Sequence, residues 1–124
     1  MLTYTPGEVA DKTGFTLDTL RYYERIGLLD DIARTSGGRR MFTDNDIAWL
    51  GILRCLRDTG MPIAAMRRYA ELSRDEQTFA ERIRLLEEHD LEVERRIAEL
   101  QTQREHLLGK IRYYRSLDRA GAEE

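Results

Sequence analysis

The chain has 124 residues, with 20 basic and 23 acidic side chains and a formal net charge of −3 at pH 7. That balance argues against indiscriminate nucleic-acid binding, the single cysteine excludes an internal disulfide, and no apolar run has spanning length. A chain of this size makes one or two small units with a modest core, marginal as an isolated monomer, which favours oligomerisation. With neither a signal peptide nor a transit sequence in view, a cytoplasmic protein is expected.

Thr5-Pro6-Gly7-Glu8 is a capping-box pattern with Pro at the first helical position, followed by Val9, Ala10 and a stop at Gly14. Thr16 is placed to cap a second helix that closes at Gly27. Two short helices joined by a tight turn around Gly14-Phe15 have the layout of a helix-turn-helix, whose second helix enters a major groove. On that second helix Leu17, Leu20 and Ile26 are expected to face inward. Thr19, Arg21, Tyr22 and Arg25 are left to reach phosphates and base edges. A surface helix of merely solvated charges is the alternative for this segment taken alone.

Residues 30–42, with Arg34, Ser36-Gly37-Gly38 and Arg39-Arg40, read as a hairpin with basic residues near its tip, a wing beside the recognition helix. From Arg21 to Arg40 there are five arginines against three acids, so a locally basic face sits on a mildly acidic chain. Thr43 to Asp46 then cap a helix carrying Ile47, Trp49, Leu50, Ile52, Leu53 and Leu56, which Gly60 ends. Met61-Pro62 restarts the chain into a helix from Ile63 to about Leu72. Its apolar stripe is Ile63, Met66, Tyr69 and Leu72, and its exposed pair is Arg67-Arg68.

From Thr78 onward one long helix is expected. Phe79, Leu86, Val93, Leu100, Leu107 and Tyr114 recur every seven residues, with Ile83, Ile97 and Ile111 at the companion positions. The remaining companion sites are Asp90, Arg104 and Asp118, polar residues that weaken a coiled-coil seam but can specify its register. Residues 119–124 read as a frayed tail. No Ser-His-Asp or Cys-His arrangement has credible context, and Gly37-Gly38 is not followed by the helix a phosphate-cradling loop needs, so no enzyme is expected.

Taken together, Tyr4-Thr5 through Val9-Ala10, Thr16 through Leu29 with Leu20-Arg21-Tyr22-Tyr23-Glu24 at its centre, and Arg39-Arg40-Met41-Phe42 resemble the MerR family of bacterial transcription factors. Asp46-Ile47 and Gly60-Met61-Pro62-Ile63 extend the match over roughly the first 70 residues, and no single piece would be specific alone. The resemblance implies a mainly α fold. A winged helix-turn-helix domain with a small hairpin and a helix pair would occupy residues 1–75, and an antiparallel coiled-coil dimerisation helix residues 76–118.

It further implies a homodimer on an inverted repeat of promoter DNA. Thr16, Thr19, Arg21, Tyr22, Tyr23, Arg25, Arg39, Arg40, Arg67 and Arg68 would lie at the DNA. RNA polymerase would be affected indirectly, through bending and untwisting of the promoter. Antiparallel pairing would bring Asp90 of one chain near Arg104 of the other, with Ile97 midway between them.

Cys55, within Leu53-Arg54-Cys55-Leu56-Arg57-Asp58, leaves two readings open. Nearby arginines can favour a reactive thiolate, whereas the apolar neighbours suit a small core residue. A lone cysteine just before Gly60-Met61-Pro62, on a short arm without an added ligand-binding domain, is similar to the aldehyde- and electrophile-responsive MerR subgroup typified by AdhR and NmlR. A noncovalent small ligand is the alternative effector, and a coiled-coil adaptor is the alternative from another class.

No cofactor is expected. Metal-responsive members use thiolates beyond the position of Cys55, and this chain has none there. His89 and His106 are too far apart on one helix to share an ion. An iron-sulfur cluster would need more cysteines.

Overall fold

A computed structural model describes residues 2–123, which form seven elements: α1 (Pro6–Thr13), α2 (Leu17–Arg25), β1 (Ala33–Arg34), β2 (Arg40–Met41), α3 (Asp44–Asp58), α4 (Ile63–Ser73) and α5 (Phe79–Glu123). The fold is the expected one: mainly helical, with a small antiparallel hairpin and a long C-terminal helix. The chain divides into two compact units, one ending at Leu85 and the other starting at Leu86.

In the first unit the helix boundaries follow local chemistry. The Thr5 hydroxyl accepts from the Glu8 amide at 3.2 Å while the Glu8 carboxylate accepts from the Thr5 amide at 3.1 Å, closing a capping box over α1. Gly14 takes φ +79°, and its N–H donates to the Ala10 carbonyl at 2.9 Å, ending α1 in a left-handed cap. Thr16 caps α2 by accepting from the Thr19 amide at 3.1 Å, and a second capping box joins Thr43 to Asp46 at the start of α3.

The core of this unit brings Val9 of α1, Leu20 of α2, Leu28 and Leu29 of the following turn, and Phe42 against Leu50, Leu53 and Leu56 of α3 and Met66 of α4. All are nearly or fully buried. Phe15 fills the turn between α1 and α2, meeting the Tyr23 ring edge-on at 5.3 Å between centroids. Trp49 stacks on Tyr69 at 5.4 Å and donates its indole N–H to the Leu28 carbonyl at 2.8 Å, which fixes the chain leaving α2. The hairpin pairs Ala33 with Met41 and Arg34 with Arg40, and a bridge between Tyr4 and Phe42 ties its second strand to the N-terminal segment.

Two expectations need correcting. Leu17 is not turned inward; it is 42% exposed at the first position of α2, because Leu20 and Tyr23 already occupy the core-facing stripe. Ile63 likewise lies at the exposed start of α4, while Met66, Ala70 and Leu72 carry its buried face. α5 continues through residues 119–123 to Glu123.

The second unit consists of the α5 residues from Leu86 on. Arg95 is paired with Glu92 and, at 2.6 Å, with Glu99, the three-and-four spacing that supports an exposed helix. Ile97, Leu100, Leu107 and Tyr114 are each more than half exposed along it, an apolar series that a helix in water does not leave uncovered. Among the described residues, no helix is long and apolar enough to cross a membrane.

Candidate nucleic-acid interface

The helix-turn-helix places α2 with one face in the core and the other open. Arg21, Tyr22 and Arg25 lie on the open face, beside the exposed cap residue Thr16 and the half-buried Thr19. The Thr16 hydroxyl donates to the Thr19 hydroxyl at 2.9 Å, so both sit at the helix N-terminus, where free amides and the helix dipole favour anions. Arg21 holds only a loose, solvated contact with Asp18 at 3.3 Å, and the Arg25 guanidinium lies 5.3 Å from the centre of the Tyr22 ring. A basic side chain stacked against an exposed aromatic offers a flat, cationic edge to nucleic acid.

Tyr23 departs from the expected set. It is buried, with its ring against Phe15, and burial raises its phenol pKa above the ordinary value while Arg57 opposes that shift. The adjacent tyrosines therefore divide between the open face and the core, since consecutive helical residues point about 100° apart.

The wing arginines also divide. Arg39 is exposed at the turn, whereas Arg40 is half-buried and bonded through its Nε to the Glu24 carboxylate. Arg34 binds the other oxygen of Glu24 at 2.9 Å. Arg40 is thus committed to α2 rather than presented freely. Glu24 carries no local signal of this role beyond being an acid in Leu20-Arg21-Tyr22-Tyr23-Glu24 ahead of a basic hairpin, because its partners lie ten and sixteen residues away.

On α4, Arg67 is exposed, and Arg68 contacts Glu71 at 3.6 Å and Glu81 at 3.4 Å. Arg74, at the end of α4, binds Asp30 at 3.1 Å and donates to the Gly27 carbonyl, holding the segment that leaves the recognition helix. The Tyr4 hydroxyl donates to Asp44 at 2.8 Å, which raises its pKa above the ordinary phenol value.

Cys55 is exposed on α3, so its side chain is no part of the core of this chain. The flanking arginines are engaged elsewhere. Arg54 donates to the Thr13 carbonyl and contacts Asp58 at 3.3 Å, while Arg57 contacts Asp58 at 3.1 Å with its guanidinium 4.7 Å from the centre of Phe15. These two cations hold the Asp58 carboxyl below the ordinary aspartate value. Among the described residues, no group of three or more His, Cys, Asp or Glu side chains is placed to hold a metal ion.

A family model described as MerR HTH family regulatory protein matches residues 4–73, and one described as MerR, DNA binding matches residues 47–110. The chain belongs to the MerR family. Over 122 residues this MerR-family chain is 37% identical to an HTH-type transcriptional regulator of Haemophilus influenzae, covering 98% of this chain and 90% of that relative. The crystal structure of HiNmlR, a MerR family regulator lacking the sensor domain and bound to promoter DNA, superposes with a TM-score of 0.85. Its identity is 38%, and the match covers 93% of this chain and 92% of HiNmlR.

The regulator AdhR of Bacillus subtilis is 40% identical over 65 residues, which is 52% of this chain and 46% of AdhR. The MerR-family chain is accordingly a DNA-binding transcriptional regulator and not an enzyme.

Proposed function

We propose that this MerR-family regulator acts as a homodimer on an inverted repeat, with α2 in a major groove and the hairpin against the backbone or minor groove of each half-site. The observation that carries this reading is the open face of α2, where Arg21, Tyr22 and Arg25 lie beside the Thr16 cap and one hairpin away from exposed Arg39. Thr16 and Thr19 serve the backbone through hydroxyls and helix-terminal amides, Arg21 and Arg25 serve phosphates or guanine edges, and Arg67 and Arg68 are flanking phosphate contacts. Residues 1–75 are the DNA-binding part, and residues 76–118 the dimerisation helix, paired through its heptad series. The partner that covers this series is a second copy, antiparallel.

The regulatory output is a change in promoter shape, so that elements spaced unfavourably for RNA polymerase align when the DNA is bent and untwisted. Any effector then works by binding or modifying the two shapes unequally.

The direct test uses the duplex that the protein selects from a random pool. Arg21→Ala is expected to weaken binding to it by roughly tenfold to a hundredfold and to relax preference at one base step, with the fold intact by circular dichroism. Unchanged affinity and preference would remove α2 from the DNA.

Covalent modification of Cys55 by an aldehyde or quinone is the switch we propose, supported by the exposure of the thiol on α3 and by the likeness to AdhR. Its reactivity has to come from access, because Arg54 and Arg57 are directed at Asp58, Thr13 and Phe15. Cys55→Ser should bind the selected promoter like the wild type yet lose the transcriptional response to aldehyde or quinone. A response retained in that variant transfers the switch to a noncovalent ligand.

A further inference from the structure

Glu24 stands at the meeting of α2 and the hairpin. One of its carboxylate oxygens accepts from Arg40 of β2, and the other binds Arg34 of β1 at 2.9 Å. Arg34 and Arg40 are register partners, directly opposite one another on the two strands. Like charges so placed repel, and a hairpin with two-residue strands has few ladder bonds to resist them. The carboxylate between them turns that repulsion into attraction. It is about three-quarters buried together with the Arg40 side chain, so water screens the pair less than an ordinary surface contact. Arg34 also donates to the Gly38 carbonyl at 3.1 Å, carrying the link into the turn that bears Arg39.

The remaining backbone tie to the N-terminal segment, through Tyr4 and Phe42, lies at the other end of the hairpin and leaves the tip to this cluster.

We infer that Glu24 is a positioning residue that fixes the wing against the recognition helix and withholds two arginines from DNA phosphates, so that wing contact depends on a duplex of the correct shape. The inference rests on the reading of α2 and the hairpin as DNA-contacting elements. A carboxylate near a DNA-binding face lowers affinity for any duplex. Here it does so in exchange for geometry: base contacts from α2 and backbone contacts from Arg39 are made together only where the groove spacing matches.

Neutralising Glu24 therefore has two opposed consequences. The freed Arg34 and Arg40 can each neutralise a phosphate, which strengthens binding to unrelated DNA and steepens its salt dependence by about 0.9 in log–log slope per arginine. The hairpin, no longer held, stops contributing to discrimination. A merely structural role would instead weaken binding to all duplexes in parallel.

The test uses the full chain carrying Glu24→Gln, with the duplex the wild type selects from a random pool and a scrambled duplex of equal length, across a salt series. Amide hydrogen exchange is measured on the free protein. The expected result is tighter binding to the scrambled duplex with a steeper salt slope. The ratio of selected to scrambled affinity should fall by about tenfold or more, as from the loss of one base pair's worth of discrimination. Exchange at the Thr35 and Gly38 amides should quicken, with the α3 amides unchanged.

A triple variant, Glu24→Gln with Arg34→Gln and Arg40→Gln, removes acid and repulsion together. It should show no gain on scrambled DNA while the affinity ratio stays low. A preserved ratio, parallel weakening on both duplexes, or unchanged hairpin exchange would overturn the inference. The underlying reading fails separately, if Arg21→Ala and Arg39→Ala leave both duplexes bound as tightly as by the wild type; hairpin exchange then still decides whether Glu24 holds the wing.

Discussion

Phe15→Ala should destabilise the first unit by about 3–5 kcal/mol, the usual cost of removing a large aromatic side chain from a packed core. Phe15 is 2% exposed and fills the turn between α1 and α2; its ring meets Tyr23 edge-on, and the Arg57 guanidinium covers it. No neighbouring segment can collapse into the vacancy without moving the turn. Gly14 holds a left-handed conformation immediately before it, and the Arg54 side chain, bonded to the Thr13 carbonyl, closes over that glycine.

A loss of this size is a large fraction of the roughly 5–15 kcal/mol that stabilises a typical domain, so α1 and α2 should lose their fixed relation well below the wild-type melting temperature. Urea unfolding followed by circular dichroism measures it, and Phe15→Leu, which keeps most of the volume, should cost far less. An unfolding midpoint equal to that of the wild type would show that the turn is held by its caps and not by this packing.

In the homodimer proposed above, Ile97→Asp should convert the pair to monomers and abolish high-affinity binding to an inverted repeat. In an antiparallel pairing centred near Ile97, the substituted residue meets its own copy, so two carboxylates enter one stretch of seam. Desolvating unpaired charge of that kind costs several kcal/mol. In the proposed arrangement a dimer lets one duplex engage two DNA-binding units, so its loss would remove an avidity of about a hundredfold to ten-thousandfold without touching any DNA contact.

Sedimentation velocity reads the first effect and operator titration the second. The melting of the first unit should change little, because Ile97 lies beyond it. A dimer that survives Ile97→Asp would mean that the heptad series is not the interface. Charges on either side of Ile97 point to the antiparallel orientation: a parallel pair in register would set Asp90 against Asp90 and Arg104 against Arg104, whereas the antiparallel one sets Asp90 near Arg104. Asp90→Arg should therefore weaken the dimer and Arg104→Asp in the same chain should restore it, as sizing by sedimentation would record.

Much of the first unit was legible from residues close together in sequence. Thr5 with Glu8, Thr16 with Thr19 and Thr43 with Asp46 cap helices through bonds that span three residues, and Gly14 and Gly27 end helices by a conformation that glycine adopts without strain. The same locality made the basic hairpin and the exposed arginines of α2 readable, along with the seven-residue series of α5, because helical and turn periodicities are properties of the chain itself.

Choices between distant segments are settled by the packing of the folded chain. Tyr22 and Tyr23 are chemically alike neighbours. Tyr23 is interior because Phe15 meets its ring there, and Tyr22 is left for the open face. Leu17 reads as core by its chemistry and is exposed, because the first turn of α2 projects beyond the stripe that Leu20 and Tyr23 complete. Cys55 fits either a core or a surface by composition, and the rotation of α3 that buries Leu53 and Leu56 turns it outward.

Arg39 and Arg40 look interchangeable in sequence, yet Glu24, sixteen residues before Arg40, binds one and leaves the other exposed. Local spacing determines which helices and turns can form; which of two similar side chains is buried, paired or free depends on what the rest of the fold brings against it, and that partner lies outside any local pattern.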